Sequence, residues 1–453
     1  MPPRRSARLV ELANPHFQLP FAPNVVALLF SLLPLDARLR AREVCRGWLF
    51  FLKDVCFWTH VDLSASCGVN PRFLSDSRLA LALLRTACVR AQGSLQSVDL
   101  SGVEHRVQDE WEDEPVQLVL QWLDSVSAAN KASLRDLVAP HMRLIVDHVT
   151  ALCRALPLCR VHCFVYCNAV EALPLLRCEP PFALLSIHEL CVLGDVDGDQ
   201  AVLDLASALS VYQGMEKLTL SYVPLTTRAV VDALVDAAIS AGIKDAHFEY
   251  CGLTQTALPA LMRLIQSPGF ERLEVWNDGR TLFEGPAIPA FCEALRKCKS
   301  LRKLELAEIN LWADTAAATQ LISALEELPA LQKVTLTWNR THGRPDVQRA
   351  AGECLARLIA RSTSLRVLCA SYSQLGETGM TPIFEALSGD SGLAELHLSD
   401  EQISVEFARD VVLPAVRANT SLRKLEGLSS VDGAQALREV ADTLQSRQPQ
   451  ACS

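Results

Sequence analysis

Six cysteines, Cys153, Cys159, Cys163, Cys167, Cys178 and Cys191, fall close together with His162 among them. Thiolates and imidazole in one neighbourhood are the donor set of a zinc site. The spacing argues against it. Cys159 and Cys163 lie within and at the end of one expected strand, where four residues span about 13 Å. A single tetrahedral zinc holds each sulfur at about 2.3 Å. No C-x-x-C pair starts a site, so these cysteines read as small apolar core residues. "DVDGDQ" (Asp195 to Gln200) imitates the start of a calcium loop. Its Gly stands fourth instead of sixth, and Ala206 occupies the place of the bidentate Glu. "HEL" at His188 lacks the second His of a zinc protease, and no phosphate-binding glycine motif or G-x-S-x-G is present. Arg340 and Arg344 in "NRTHGRPD" are the one pair that suits an arginine-supplying GTPase activator, and nothing else in the chain supports it. The sequons at Asn339 and Asn419 carry little meaning in a cytosolic protein. No cofactor, metal or catalytic residue is expected, which leaves binding as the function to explain.

The chain has 453 residues, half of them hydrophobic, enough for a large core. No apolar run reaches the roughly 18 residues of a membrane span. The longest, "VVALLFSLLPL" from Val25, is broken by Pro34. The sixteen cysteines sit in apolar periodic segments, which fits reduced thiols in the cytoplasm or nucleus. The net charge of −9 is unevenly spread. Residues 1–60 hold eight Lys or Arg against four Asp or Glu, and the remainder carries the acidic excess. A basic head on an acidic body suggests an acidic partner for the head and no nucleic acid for the body.

The elements that would position any binding residues form a repeat. L-x-x-L-x-L, with apolar swaps, starts at Leu95, Leu134, Leu158, Ile187, Met215, Ile243, Phe270, Leu301, Leu331, Leu365, Leu393 and Leu422. From Ile187 the starts are 28, 28, 27, 31, 30, 34, 28 and 29 residues apart. Each copy alternates apolar and polar, as a strand with one buried face does. Helical patterns lie between copies, such as Leu321, Leu325 and Leu328 in "AATQLISALEEL". One strand and one helix per unit cannot bury an apolar face alone, so neighbours must stack. The pattern resembles long leucine-rich repeats of the ribonuclease-inhibitor class. The expected fold is an α/β solenoid, a curved horseshoe of about 12 strand-helix repeats with a parallel concave sheet. "GVEHRVQDEWEDEPVQ" reads as an acidic insertion.

The head differs. Val25, Leu28, Leu29 and Leu32 form one helical stripe, and Val26, Phe30 and Leu33 another. A helix apolar almost all round needs cover on every side, and a unit of some 40 residues cannot supply it. The residue order is Leu19-Pro20, an apolar helix ending in Leu-Pro-Leu, "VCRGW" at Val44 to Trp48, and a closing Trp58. This resembles an F-box over about residues 17–60, with "FAPN" where an acidic residue usually follows Leu-Pro. "VDLS" after Trp58 then looks like the first solenoid strand, repeated at Val98. The resemblance implies docking on a Skp-type adaptor of a cullin-RING ubiquitin ligase. Leu19, Pro20, Val25, Val26, Leu29, Leu32, Leu33, Pro34, Leu35, Val44, Cys45 and Trp48 stand at the matching positions. The expected organisation is a flexible 1–16, the F-box-like 17–60, the solenoid 61–445 and a polar tail 446–453.

The third and fifth positions of each strand should face away from the helices. The third gives Lys217, Asp245, Arg272, Lys303, Lys333, Val367, Glu395 and Lys424. The fifth gives Thr219, His247, Glu274, Glu305, Thr335, Cys369, His397 and Glu426. Arg272, Lys303 and Lys333 should line up on adjacent strands, with Glu274 and Glu305 offsetting part of the like-charge cost. Aromatic residues recur just past the strands: Tyr222, Tyr250, Trp276, Trp338 and Tyr372. Such residues beside basic neighbours make binding hot spots, and an acidic or phosphorylated segment is the matching target. The whole reads as a non-catalytic substrate receptor of a ubiquitin ligase. The alternative is a stand-alone repeat scaffold for signalling or innate sensing, with the head as a cap.

Overall fold

The computed structural model describes residues 58–63, 77–101, 120–124, 126–194, 198–277, 282–283, 287–389, 391–429 and 434–447. The F-box-like segment up to residue 57, with all twelve positions expected to meet an adaptor, lies outside them, as do the acidic insertion at 102–117 and residues 448–453.

The strands are β1 (His60–Asp62), β2 (Ser97–Asp99), β3 (Asp136–Ile145), β4 (Arg160–Asn168), β5 (Leu185–Leu193), β6 (Lys217–Ser221) and β7 (Asp245–Glu249). They continue as β8 (Arg272–Trp276), β9 (Lys303–Ala307), β10 (Lys333–Thr335), β11 (Val367–Cys369), β12 (Glu395–Gln402) and β13 (Lys424–Ser429). The described residues fall into two compact units, one holding those up to 167 with 174–190, the other 168–173 with those from 191. In the first unit β1 to β4 pair in chain order, all parallel. Val61 lies opposite Val98 and Asp62 opposite Asp99, so the repeated "VDL" segments are adjacent strands in register. In the second unit β6 to β13 also pair in chain order, all parallel. A helix follows almost every strand, and this alternation makes the chain an α/β solenoid of leucine-rich-repeat type.

The repeat explains its own packing. Leu218, Leu220, Phe248, Leu273, Val275, Leu304, Leu306, Val334 and Leu368 alternate along their strands and are buried against the helices. Each such side chain contributes about 1.5–3 kcal/mol. The helices turn Leu and Ala inward: Ala317, Ala318, Leu321, Ile322, Ala324 and Leu325 are buried in the helix Thr315–Glu326. Asp314 caps it, accepting from the Ala316 and Ala317 N–H groups at 3.0 Å each. Asn339 and Asn419 are buried among backbone groups, with Asn339 Nδ2 donating to Leu306 O at 2.7 Å and Asn419 Nδ2 to Leu387 O at 2.8 Å. These two sequons are internal braces, out of reach of any surface modification.

Cys153, Cys159, Cys163 and Cys167 are buried in the first unit, and none of the twelve described cysteines forms a disulfide. Burial pushes the Cys153 thiol up to about 11 and Cys159 to about 12, so both stay protonated at neutral pH. Among the described residues no group of three His, Cys, Asp or Glu is placed to hold a metal ion, and no helix is long and apolar enough to cross a membrane.

A candidate protein-binding face

In the second unit the strand register sets the rows of the sheet face that the helices leave uncovered. Lys217, Asp245, Arg272, Lys303, Lys333, Val367, Glu395 and Lys424 are successive Cα partners across β6 to β13. Thr219, His247, Glu274, Glu305, Thr335, Cys369, His397 and Glu426 form the next row. Not all of them are open to solvent. Asp245, Thr219, Glu305 and Thr335 are buried. Parallel strands about 4.8 Å apart bring neighbouring side chains into contact, and the longer ones cover the shorter.

The cations of the first row are largely committed. Arg272 Nη1 lies 3.3 Å from Asp245 Oδ2. The Lys303 ammonium bonds Glu274 on β8 and reaches Glu305 Oε2 at 3.4 Å. Burial alone would raise the Glu274 carboxyl, but the hydrogen bond and charge of Lys303 outweigh it and its pKa is lowered. Lys303 is raised in turn, burial being outweighed by Glu274 and Glu305. The Lys333 ammonium makes no hydrogen bond or ion pair among the described residues. The row that Arg272, Lys303 and Lys333 share is thus a mixed-charge lattice with one uncommitted cation at its β10 end.

Asp245 stands apart. Burial is the largest influence on its carboxyl and raises it to about 6, with Lys217 and Arg272 pulling the other way. Its Oδ1 has no hydrogen-bond partner. A folded pKa above the ordinary 3.8 adds stability at low pH that is lost as pH rises through about 6. Asp245→Asn should therefore match the wild type near pH 4 and exceed it by on the order of 2 kcal/mol near pH 7.5. Urea denaturation at the two pH values checks this, and a variant less stable at the higher pH would show the Arg272 ion pair outweighing burial.

Five residues past the starts of β6, β7, β9, β10, β11 and β12 stands a left-handed residue. Tyr222, Tyr250, Glu308, Trp338, Tyr372 and Asp400 have φ between 50° and 68°. Bulky side chains rarely adopt this conformation. The backbone holds it because the N–H bonds the neighbouring repeat: Tyr222 donates to Glu249 O at 2.8 Å, Tyr250 to Trp276 O at 2.7 Å and Trp338 to Ser371 O at 3.0 Å. The column carries two aromatic ledges. Tyr222 and Tyr250 stack at 5.2 Å between centroids, and Tyr222 is 61% exposed. Trp338 and Tyr372 stack at 4.3 Å and 4°, with the Arg340 guanidinium 5.1 Å from the Trp338 ring centre. Trp276 belongs elsewhere: it ends β8, and its indole N–H donates to Glu305 Oε1 at 2.8 Å.

Sequence reasoning found the aromatic members of the column but not Glu308 and Asp400. The same count of five from each strand start, applied without regard to residue type, would have found both. Carboxylates also flank the first ledge. Tyr250 OH donates to Glu308 Oε2 at 3.3 Å, and Ser221 Oγ donates to Glu249 Oε2 at 2.6 Å.

Fold and face together define a leucine-rich-repeat solenoid that offers an aromatic-edged sheet face. No family model and no curated protein matches the chain. Among solved structures it is similar to TLR13 in its complex with ssRNA13, at 16% identity over 74% of this chain and 36% of that one, with a TM-score of 0.28. It therefore spans little more than a third of that chain. It is also similar to a structure of the Rad7 and Elc1 complex in yeast, at 14% identity over 81% and 86% of the two chains, TM-score 0.43. A third similarity is to actin-binding site 2 of leiomodin-1, at 16% identity over 42% and 86%, TM-score 0.23. All three lie below a TM-score of 0.5, so the repeat fold is read from this chain's own strands and helices.

Proposed function

We propose that the protein is a target-binding subunit of a cullin-RING ubiquitin ligase of the SCF type, working in the cytoplasm or nucleus. The sheet face of the second unit grips a target protein, and residues 17–60 dock on a Skp-type adaptor. The chain does no chemistry of its own. It raises the local concentration of target lysines at the ligase. The observation that carries the binding role is the column of Tyr222, Tyr250, Trp338 and Tyr372, held as paired ledges in a backbone conformation such residues rarely take. The ligase half is supported by the F-box-like order of residues, above all "VCRGW".

Co-expression with a Skp-type adaptor tests the reading. The full chain is expected to co-purify with it. Pro34→Ala combined with Trp48→Ala should abolish the complex, while Trp338→Ala should leave it intact. A chain that purifies without the adaptor would instead be a stand-alone repeat scaffold whose N-terminal helices serve as a cap.

A further inference from the structure

Extending the proposed target-binding role, we infer that the Tyr222–Tyr250 ledge takes a lysine- or arginine-bearing segment of the partner, its cation lying on the rings between Glu249 and Glu308. The face changes sign along its strands. From β6 to β9 the strand starts carry Lys217, Arg272 and Lys303 against Asp245 alone. The strand ends and the residues just past them carry Glu249 and Glu308, with Glu274 and Glu305 behind them and no Lys or Arg. His247 does not reverse this sign, because burial lowers its pKa and favours the neutral ring.

The protein itself shows what such a ledge accepts. Arg340 lies over Trp338 in the second aromatic pair, and the first pair has no such occupant among the described residues. Aromatic faces attract cations through the ring quadrupole, and the nearby carboxylates of Glu249 and Glu308 reinforce that choice. A phosphorylated segment would meet these carboxylates as like charges. The expectation of an acidic target arose from Arg272, Lys303 and Lys333, and the first two are already paired.

The chain has five tyrosines, Tyr166, Tyr212, Tyr222, Tyr250 and Tyr372, which makes fluorotyrosine NMR of the full chain tractable. Signals are assigned by single Tyr→Phe variants, and hexa-arginine is the probe, with hexaglutamate and a phosphoserine hexapeptide as comparisons. The Tyr222 and Tyr250 signals should shift with hexa-arginine alone. Glu249→Gln with Glu308→Gln should weaken the apparent affinity roughly tenfold, with unchanged Tyr166 and Tyr212 signals reporting an intact fold. No shift at the two ledge signals, an equal shift at all five, a response to the phosphopeptide, or full affinity in the double variant would each overturn the inference. No adaptor is present, so the outcome is independent of whether the ligase reading holds.

Discussion

Asn339→Ala is expected to lower the unfolding free energy by about 4 kcal/mol. Asn339 is fully buried, and its amide serves three backbone groups of the preceding repeat. Its Oδ1 accepts from the Ile309 N–H at 3.2 Å and the Leu311 N–H at 3.1 Å, and its Nδ2 donates to Leu306 O at 2.7 Å. A further bond at 3.1 Å reaches Leu336 O. Alanine would leave these donors and acceptors buried and unpaired, at about 1–3 kcal/mol each before relaxation. The damage would reach the binding face, because Glu308 precedes Ile309 in the same turn. Chemical denaturation measures the loss, and a change under about 1 kcal/mol would mean that water or a shifted loop replaces the amide.

Gly352→Ala should cost about 3 kcal/mol although it improves helix propensity. Gly352 lies inside the helix Pro345–Arg361, and Gly379 inside the helix Gly376–Leu387. Glycine in a helix interior costs about 1 kcal/mol relative to alanine, so two facing each other require a reason. A Cβ on Gly352 would lie 2.0 Å from the Gly379 carbonyl oxygen and 2.7 Å from its carbon. Both are backbone atoms and cannot swing aside, so the helices must separate and lose packing along their length. Gly389→Ala is the control, with its Cβ 3.4 Å from the Ala386 oxygen, and should change stability by no more than about 0.5 kcal/mol. Equal effects at the two sites would contradict the close-approach explanation.

The repeat was legible because one short pattern fixes both strand position and facing. Leu218, Leu304 and Leu396 stand at the same place in their copies and are all buried. Even "VDLS" after Trp58 announced β1, since matching residues make matching strands. The chemistry of the face was less legible. Alternation says that Lys303 points away from the helices, but not that Glu274, 29 residues earlier, reaches it. That contact depends on register between strands joined by whole helices, so each copy reads as charged while the lattice is largely paired. The burial of Asp245 and Thr335 was hidden for the same reason. The sequon motif at Asn339 and Asn419 is local and says nothing of their bracing role, whose partners Leu306 and Leu387 lie about thirty residues away.

The most direct measurement is the mass, by light scattering after size exclusion, of the full chain purified with a Skp-type adaptor. The result expected is a single species whose mass is the chain's 49.7 kDa plus one adaptor. A well-folded 49.7 kDa species with the adaptor eluting apart from it would contradict the ligase assignment.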